Sequence, residues 1–161
     1  MAKGEEFLVF LKTRKREESM LARSRLTPEY FNRVGAGFLP DYLGVIVTEI
    51  LAGQVRAEIV ITGHHLALPG FLHAGSIITL ADTACGVGCV ACLPEGADGF
   101  TTVELKSNFL ATAREGALEC CAQAVHLGKS TQVWDATVIH KESGRTLALF
   151  RCTQFIIYPK S

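Results

Sequence analysis

Residues 74–93 read AGSIITLADTACGVGCVACL, and this stretch decides the fold. It is apolar or small almost throughout, with Asp82 in its middle, Leu72-His73 just before it and Pro94 just after it. An uninterrupted run of this length predicts one long helix that ends near Leu93. Such a helix is apolar on nearly all sides and has to be wrapped by other elements. A carboxylate inside it is costly unless it has partners or a task. A histidine and small residues opening the helix, followed by an acid nine residues later, point to a site rather than to plain core.

Working outward, residues 43–52 and 54–62 are rich in β-branched side chains and meet at Gly53-Gln54, which predicts a hairpin. Residues 63–72, punctuated by Gly63, Pro69 and Gly70, form a loop into the helix. Beyond the helix come four long strand candidates, 100–110, 117–127, 130–141 and 146–157, separated by Gly116, Gly128 and Ser143-Gly144. In the third of these, Gln132, Trp134, Ala136, Val138 and His140 share one face, opposite Val133, Asp135, Thr137 and Ile139. Consecutive strands with short connections favour antiparallel pairing. The order strand, strand, helix, four strands therefore predicts an α+β domain, a curved antiparallel sheet wrapped around one long central helix. Ahead of it, residues 4–24 read as a charged amphipathic helix, and Thr27-Pro28 as the cap and first position of a short helix through Gly35. The expected division is an N-terminal helical extension over 1–39 and a main domain over 40–161.

Composition excludes several classes. The 161 residues suit one domain with a sizeable core, and 16 Lys+Arg balance 16 Asp+Glu, which argues against a nucleic-acid surface. The basic residues between Lys12 and Arg25 are interleaved with glutamates and read as a solvated helix face. Phe7–Leu11 is too short for the apolar core of a secretion signal, so a cytoplasmic location is expected. Residues 74–93 could span a bilayer by length, but three glycines, a central aspartate and no aromatic or basic anchors argue against a membrane span. Without an export signal the six cysteines are expected to be free thiols. Cys85-x3-Cys89-x2-Cys92 has the spacing of an iron–sulfur cradle but lies within an apolar helix, so no metal is expected there. Gly128-Lys129-Ser130 lacks the upstream glycine of a phosphate loop, and Ser76 lacks the flanking glycines of a nucleophile elbow.

The element order resembles the hotdog fold. Leu72-His73-Ala74-Gly75 with Leu80-Ala81-Asp82, then Thr101-Thr102-Val103-Glu104-Leu105 and Asn108-Phe109-Leu110, resembles the PaaI-type acyl-CoA thioesterases over residues 40–158. The resemblance implies Asp82 as the catalytic carboxylate, the backbone N–H at Ala74 as the holder of the thioester carbonyl, Thr102 as the hydroxyl that positions water, and His73 as the motif histidine. It also implies dimers or tetramers with active sites between subunits, and no cofactor, since CoA is part of the substrate. Two positions depart from the family pattern. The first of the two usual glycines is Ala74, which keeps its N–H, and a frequent Asn or Gln six residues before His73 is Ala67.

Helix physics supports part of this reading. The first N–H groups of a helix are unpaired and favour negative charge, so the start at Ala74-Gly75 can polarise a carbonyl. Asp82 cannot serve that same end: nine residues rise about 13.5 Å and turn about 900°, which puts Asp82 opposite His73. If both act on one thioester, Asp82 comes from a second subunit. It would attack the thioester carbon or activate a water. His73 is read as cap or proton carrier, and Glu104 as a reserve acid on the face of Thr102 if that strand is regular. Phe71 and Leu72 are the candidates to meet the acyl group, and Arg114, Lys129 and Ser130 to meet CoA. The expected function is hydrolysis of a small aromatic or short- to medium-chain acyl-CoA by a homodimer or homotetramer. An enoyl-thioester hydratase or dehydratase and a non-catalytic acyl-CoA-binding protein are the alternatives.

Overall fold

A computed structural model describes residues 25–159. The helix expected over 4–24 lies outside them. The elements are α1 (Pro28–Val34), α2 (Leu39–Tyr42), β1 (Ile46–Leu51), β2 (Gln54–Val60), α3 (Ala74–Ala91), β3 (Gly99–Phe109), β4 (Ala117–Leu127), β5 (Thr131–His140) and β6 (Thr146–Ile157). The six strands form one antiparallel sheet in the order β1-β2-β4-β5-β6-β3.

Each boundary follows from local chemistry. The Thr27 hydroxyl accepts the Tyr30 N–H and Pro28 supplies a preset φ, so α1 starts there. The β1–β2 turn needs a left-handed residue, and Gly53 takes it at φ 74°. β4 and β5 alternate over their central residues, with Leu118, Cys120 and Ala122, then Gln132, Trp134, Ala136 and Val138 turned inward.

The inner face of the sheet carries α3. Ile77, Leu80, Ala81, Ala84, Cys85, Gly88 and Cys89 of the helix are buried against it. Small residues let the two backbones approach closely. A Cβ added at Gly88 would stand 2.5 Å from Trp134 Cη2, so the indole occupies the space a side chain would need. The sheet covers one side of the helix only. Ile78, Thr79, Asp82, Thr83 and Gly86 on the other side are half-buried, so the expected sheet wrapped around one central helix is present with this face of the helix left partly open in the single chain. The helix is long and apolar enough to cross a membrane, and half of that stretch is buried against the sheet.

Two expectations change. Consecutive pairing fails at β3, which lies beside β6 rather than β4, making it an edge strand. The linker 110–116 returns across the sheet end, held by Leu110 N–H on Leu147 O and by Leu72 N–H on Ala113 O. The register of β3 also slips between Thr102 and Glu104, leaving Val103 as an extra residue. Thr102 therefore pairs with inward-facing Gln154, whereas Glu104 pairs with outward-facing Thr153. Glu104 is not on the face of Thr102, and a second interior acid is ruled out by this bulge.

The short N-terminal helices are stitched to the other sheet edge. Asn32 Nδ2 donates to Val47 O, and Asn32 Oδ1 accepts from Val47 N–H, both at 2.9 Å. The side-chain amide thus acts as one residue of a neighbouring strand on β1.

Candidate active site at the start and middle of the central helix

The helix start is built by two histidines with different tasks. His65 is buried, and its Nδ1 accepts the Thr62 N–H at 2.9 Å, which leaves its Nε2–H to donate to Leu43 O at 2.8 Å. Its carbonyl takes the His73 N–H and the Ser76 hydroxyl. His65 therefore pins the loop to the helix, and neither of its ring nitrogens replaces the polar group missing at Ala67. His64 is exposed, with its ring 6.1 Å from that of Tyr42.

His73 is exposed and caps α3, its Nδ1 accepting the Gly75 N–H at 2.9 Å. This corrects the expectation that Ala74 and Gly75 both offer free N–H groups. The Ser76 N–H bonds His73 O, so the N–H left without a partner among the described residues is that of Ala74. Among the described residues no non-glycine residue has positive φ, so alanine in place of glycine at 74 leaves the helix start undistorted.

Asp82 stands in the middle of α3, two turns from Ala74. Its Oδ1 lies 3.4 Å from Thr102 Oγ1, and the Thr102 hydroxyl is also 2.9 Å from Gln154 Oε1. Burial raises the Asp82 pKa above the usual carboxylate range, against a smaller lowering by the Thr102 hydroxyl. Gln154 is fully buried and was missed from sequence. The signal was its place in the inward phase of β6, between Cys152 and Ile156. A second buried amide, Gln132, sits opposite Gln154 on β5, donates to Cys92 O and accepts the Trp134 indole N–H.

The remaining candidates separate. Phe71 is partly exposed beside the helix start, whereas Leu72 is buried in the core cluster. Arg114 lies on the linker at the N-terminal end of α3, next to the Ala113–Leu72 bond. Lys129 and Ser130 are exposed in the β4–β5 turn, whose neighbour Gln132 bonds the C-terminal end of α3. The helix has 18 residues, so these cations lie about 27 Å apart along its axis and do not meet within one chain. Among the described residues no group of three or more His, Cys, Asp or Glu could hold a metal ion.

This geometry defines an acid on a buried helix, a free N–H at that helix's start, and a six-stranded sheet behind both. Residues 69–147 match the thioesterase superfamily. A Vibrio cholerae protein assigned to the esterases is 31% identical over 128 residues, covering 78% of this chain and 82% of its own. The 1,4-dihydroxy-2-naphthoyl-CoA hydrolase of Listeria monocytogenes is 29% identical over 115 residues, covering 71% and 92%. The structure of the PaaI protein of the E. coli phenylacetic acid degradation operon superposes with a TM-score of 0.66 at 26% identity, covering 73% and 83%. The chain belongs to the thioesterase superfamily, in its PaaI-type hotdog branch. It is a thioester hydrolase.

Proposed function

We propose that the protein hydrolyses acyl-CoA thioesters carrying a small aromatic or short- to medium-chain acyl group, in sites shared between two copies of the chain. The observation that carries this is Asp82, a half-buried carboxylate with a raised pKa held beside the Thr102 hydroxyl. A carboxylate of raised pKa is a better base or nucleophile at neutral pH than an exposed one. It attacks the thioester carbon or takes the proton of a water that Thr102 orients. The Ala74 N–H receives the developing oxyanion, with the positive end of α3 behind it.

Two turns of helix separate Asp82 from Ala74, so one thioester meets both only when the acid comes from a second copy. The half-buried face of α3 around Asp82 and Thr83 fits apposition of two such helices about a two-fold axis. The adjoining edge strand β3 exposes Val103, Leu105 and Phe109, apolar surface that a second copy would cover. The same pairing allows Arg114 of one copy and Lys129-Ser130 of the other to serve one CoA. Phe71 fits an aromatic acyl group, and the Listeria relative is named for a naphthoyl thioester. A cytoplasmic location belongs to the same proposal, supported by six free thiols that suit a reducing compartment.

Two inactive variants test the shared site. Asp82→Asn removes the acid. Ala74→Pro removes only the N–H, because proline fits the first helical position and His73 at ψ 135° tolerates a following proline. Each alone should lose thioester cleavage, followed by absorbance so that the cysteines do not interfere. Mixed and reassociated, they should regain roughly a quarter of wild-type activity, since half the dimers are mixed and each holds one intact site. No recovery in verified mixed dimers would place both groups in one chain's site and sink the proposal.

A further inference from the structure

Among the described residues, Gln154 is the fully buried polar side chain whose structural return is small. Gln132, its neighbour across β5 and β6, satisfies both a helix-end carbonyl and an indole N–H. Gln154 Nε2 reaches only Cys152 Sγ, at 3.3 Å, and sulfur is a weak acceptor. Its Oε1 faces Thr102 Oγ1 at 2.9 Å. Thr102 has a single hydroxyl proton and two acceptors, Gln154 Oε1 and, at 3.4 Å, Asp82 Oδ1. The shorter contact is to the amide.

We infer that Gln154 is a positioning residue that competes with Asp82 for the Thr102 hydroxyl proton and so sets the proton affinity of the acid. The inference rests on the proposed role of Asp82. With Asp82 neutral, its carboxyl proton is donated to Thr102 Oγ1 and the Thr102 proton to Gln154 Oε1, an unbroken chain of donors. When Asp82 loses its proton, the hydroxyl turns to Asp82 Oδ1, and Gln154 Oε1 is left without a donor in a dry interior. Gln154 thereby favours the neutral acid, in the same direction as burial.

Other groups around Asp82 do not duplicate this. The inward thiols are Cys85 and Cys89 on the same helix, Cys152 on β6 and Cys120 on β4, with Cys85, Cys89 and Cys120 held protonated by pKa values raised above the usual thiol range. Asp41 of α2 lies on the Thr83 side of α3. The charged side chains of β1 to β6, Glu104, Asp135 and Arg151 among them, occupy the outward phase. His140 sits at the far strand end, bonded to Glu115 O.

The test is the titration of the Asp82 carboxyl carbon by NMR in the wild-type protein and in Gln154→Met, which keeps the length and removes the acceptor. The midpoint should fall in Gln154→Met, and the acid limb of the pH–kcat profile should move down with it. In a Thr102→Val background Gln154→Met should leave the midpoint where it was. An unchanged or raised midpoint in the single variant overturns the inference. If Gln154→Met does not fold, the wild type still decides: the Gln154 side-chain amide signals should titrate together with Asp82, and signals indifferent to that titration overturn the idea. These readings need no turnover, so activity surviving in Asp82→Asn would defeat the proposed reaction without touching the proton competition, and the reverse also holds.

Discussion

Gly88→Ala sets two known effects against each other on the central helix. Alanine favours a helix over glycine by about 1 kcal/mol. Here the added Cβ would stand 2.5, 2.6 and 3.1 Å from three atoms of the Trp134 ring. Ordinary carbon contacts are roughly 3.5–4.0 Å, so ring and helix must part by about 1 Å. The indole cannot slide sideways freely: it is fully buried and its Nε1 donates to Gln132 Oε1 at 3.0 Å. Overpacking of this kind costs about 1–3 kcal/mol and exceeds the propensity gain, so the net loss should be about 1–2 kcal/mol. The chain has one tryptophan, the residue under strain, so its fluorescence reports urea unfolding directly. The midpoint should drop with an unchanged slope at fixed protomer concentration. Gly86→Ala is the control: its Cβ would meet Phe100 Cζ at 3.1 Å and Cε2 at 3.8 Å, from the half-buried side, and should cost less. Gly88→Ala equal to wild type or more stable would refute the close helix–sheet contact.

Asp82→Asn should abolish turnover yet raise stability at neutral pH. The folded pKa of Asp82 lies above its unfolded value, so its contribution is fully present below the unfolded pKa and is lost as pH rises through the folded one; the gain from asparagine should therefore grow with pH across that window, read by urea midpoints at several pH values. Cys92 and Cys121, both only half-buried, should react first with a thiol reagent at pH 8, while Cys89, pushed up to about 12 by burial, and the buried Cys85, Cys120 and Cys152 react only on unfolding. Mass spectrometry of the quenched reaction distinguishes the two classes. Asn32→Ala should cost about 1–3 kcal/mol by leaving the Val47 N–H and C=O without partners, whereas Asn32→Asp, which keeps an acceptor only, should cost less; thermal unfolding ranks them.

Local rules carried the sequence reading a long way. Gly53, Thr27-Pro28 and the alternation around Trp134 each act over a few residues, and the structure places them as expected. The apolar run around Asp82 was long enough to be helix and nothing else. What stayed hidden depends on partners distant in sequence. An extra residue at Val103 leaves no mark in an alternating pattern, so a regular strand put Glu104 on the face of Thr102. The position of β3 beside β6, not β4, is decided across the ladder and leaves no mark in connections that read as consecutive pairing. The His73 cap on Gly75 follows from a side-chain turn that residue type alone does not specify. Gln154 was visible as an amide in an inward phase, yet its meaning came only with Thr102 across the ladder.

The bulge in β3 has one more implication. Removing Val103 would leave Thr102 directly before Glu104, and the strict alternation of a regular strand would still send the first inward and the second outward. The extra residue is thus not needed to sort side chains between the two faces. What it adds is local twist, at the one point of the edge strand where a hydroxyl has to be aimed at a carboxylate. A chain shortened by that single residue would make a straighter ladder with every backbone group matched, and would point its threonine a little wide of the target.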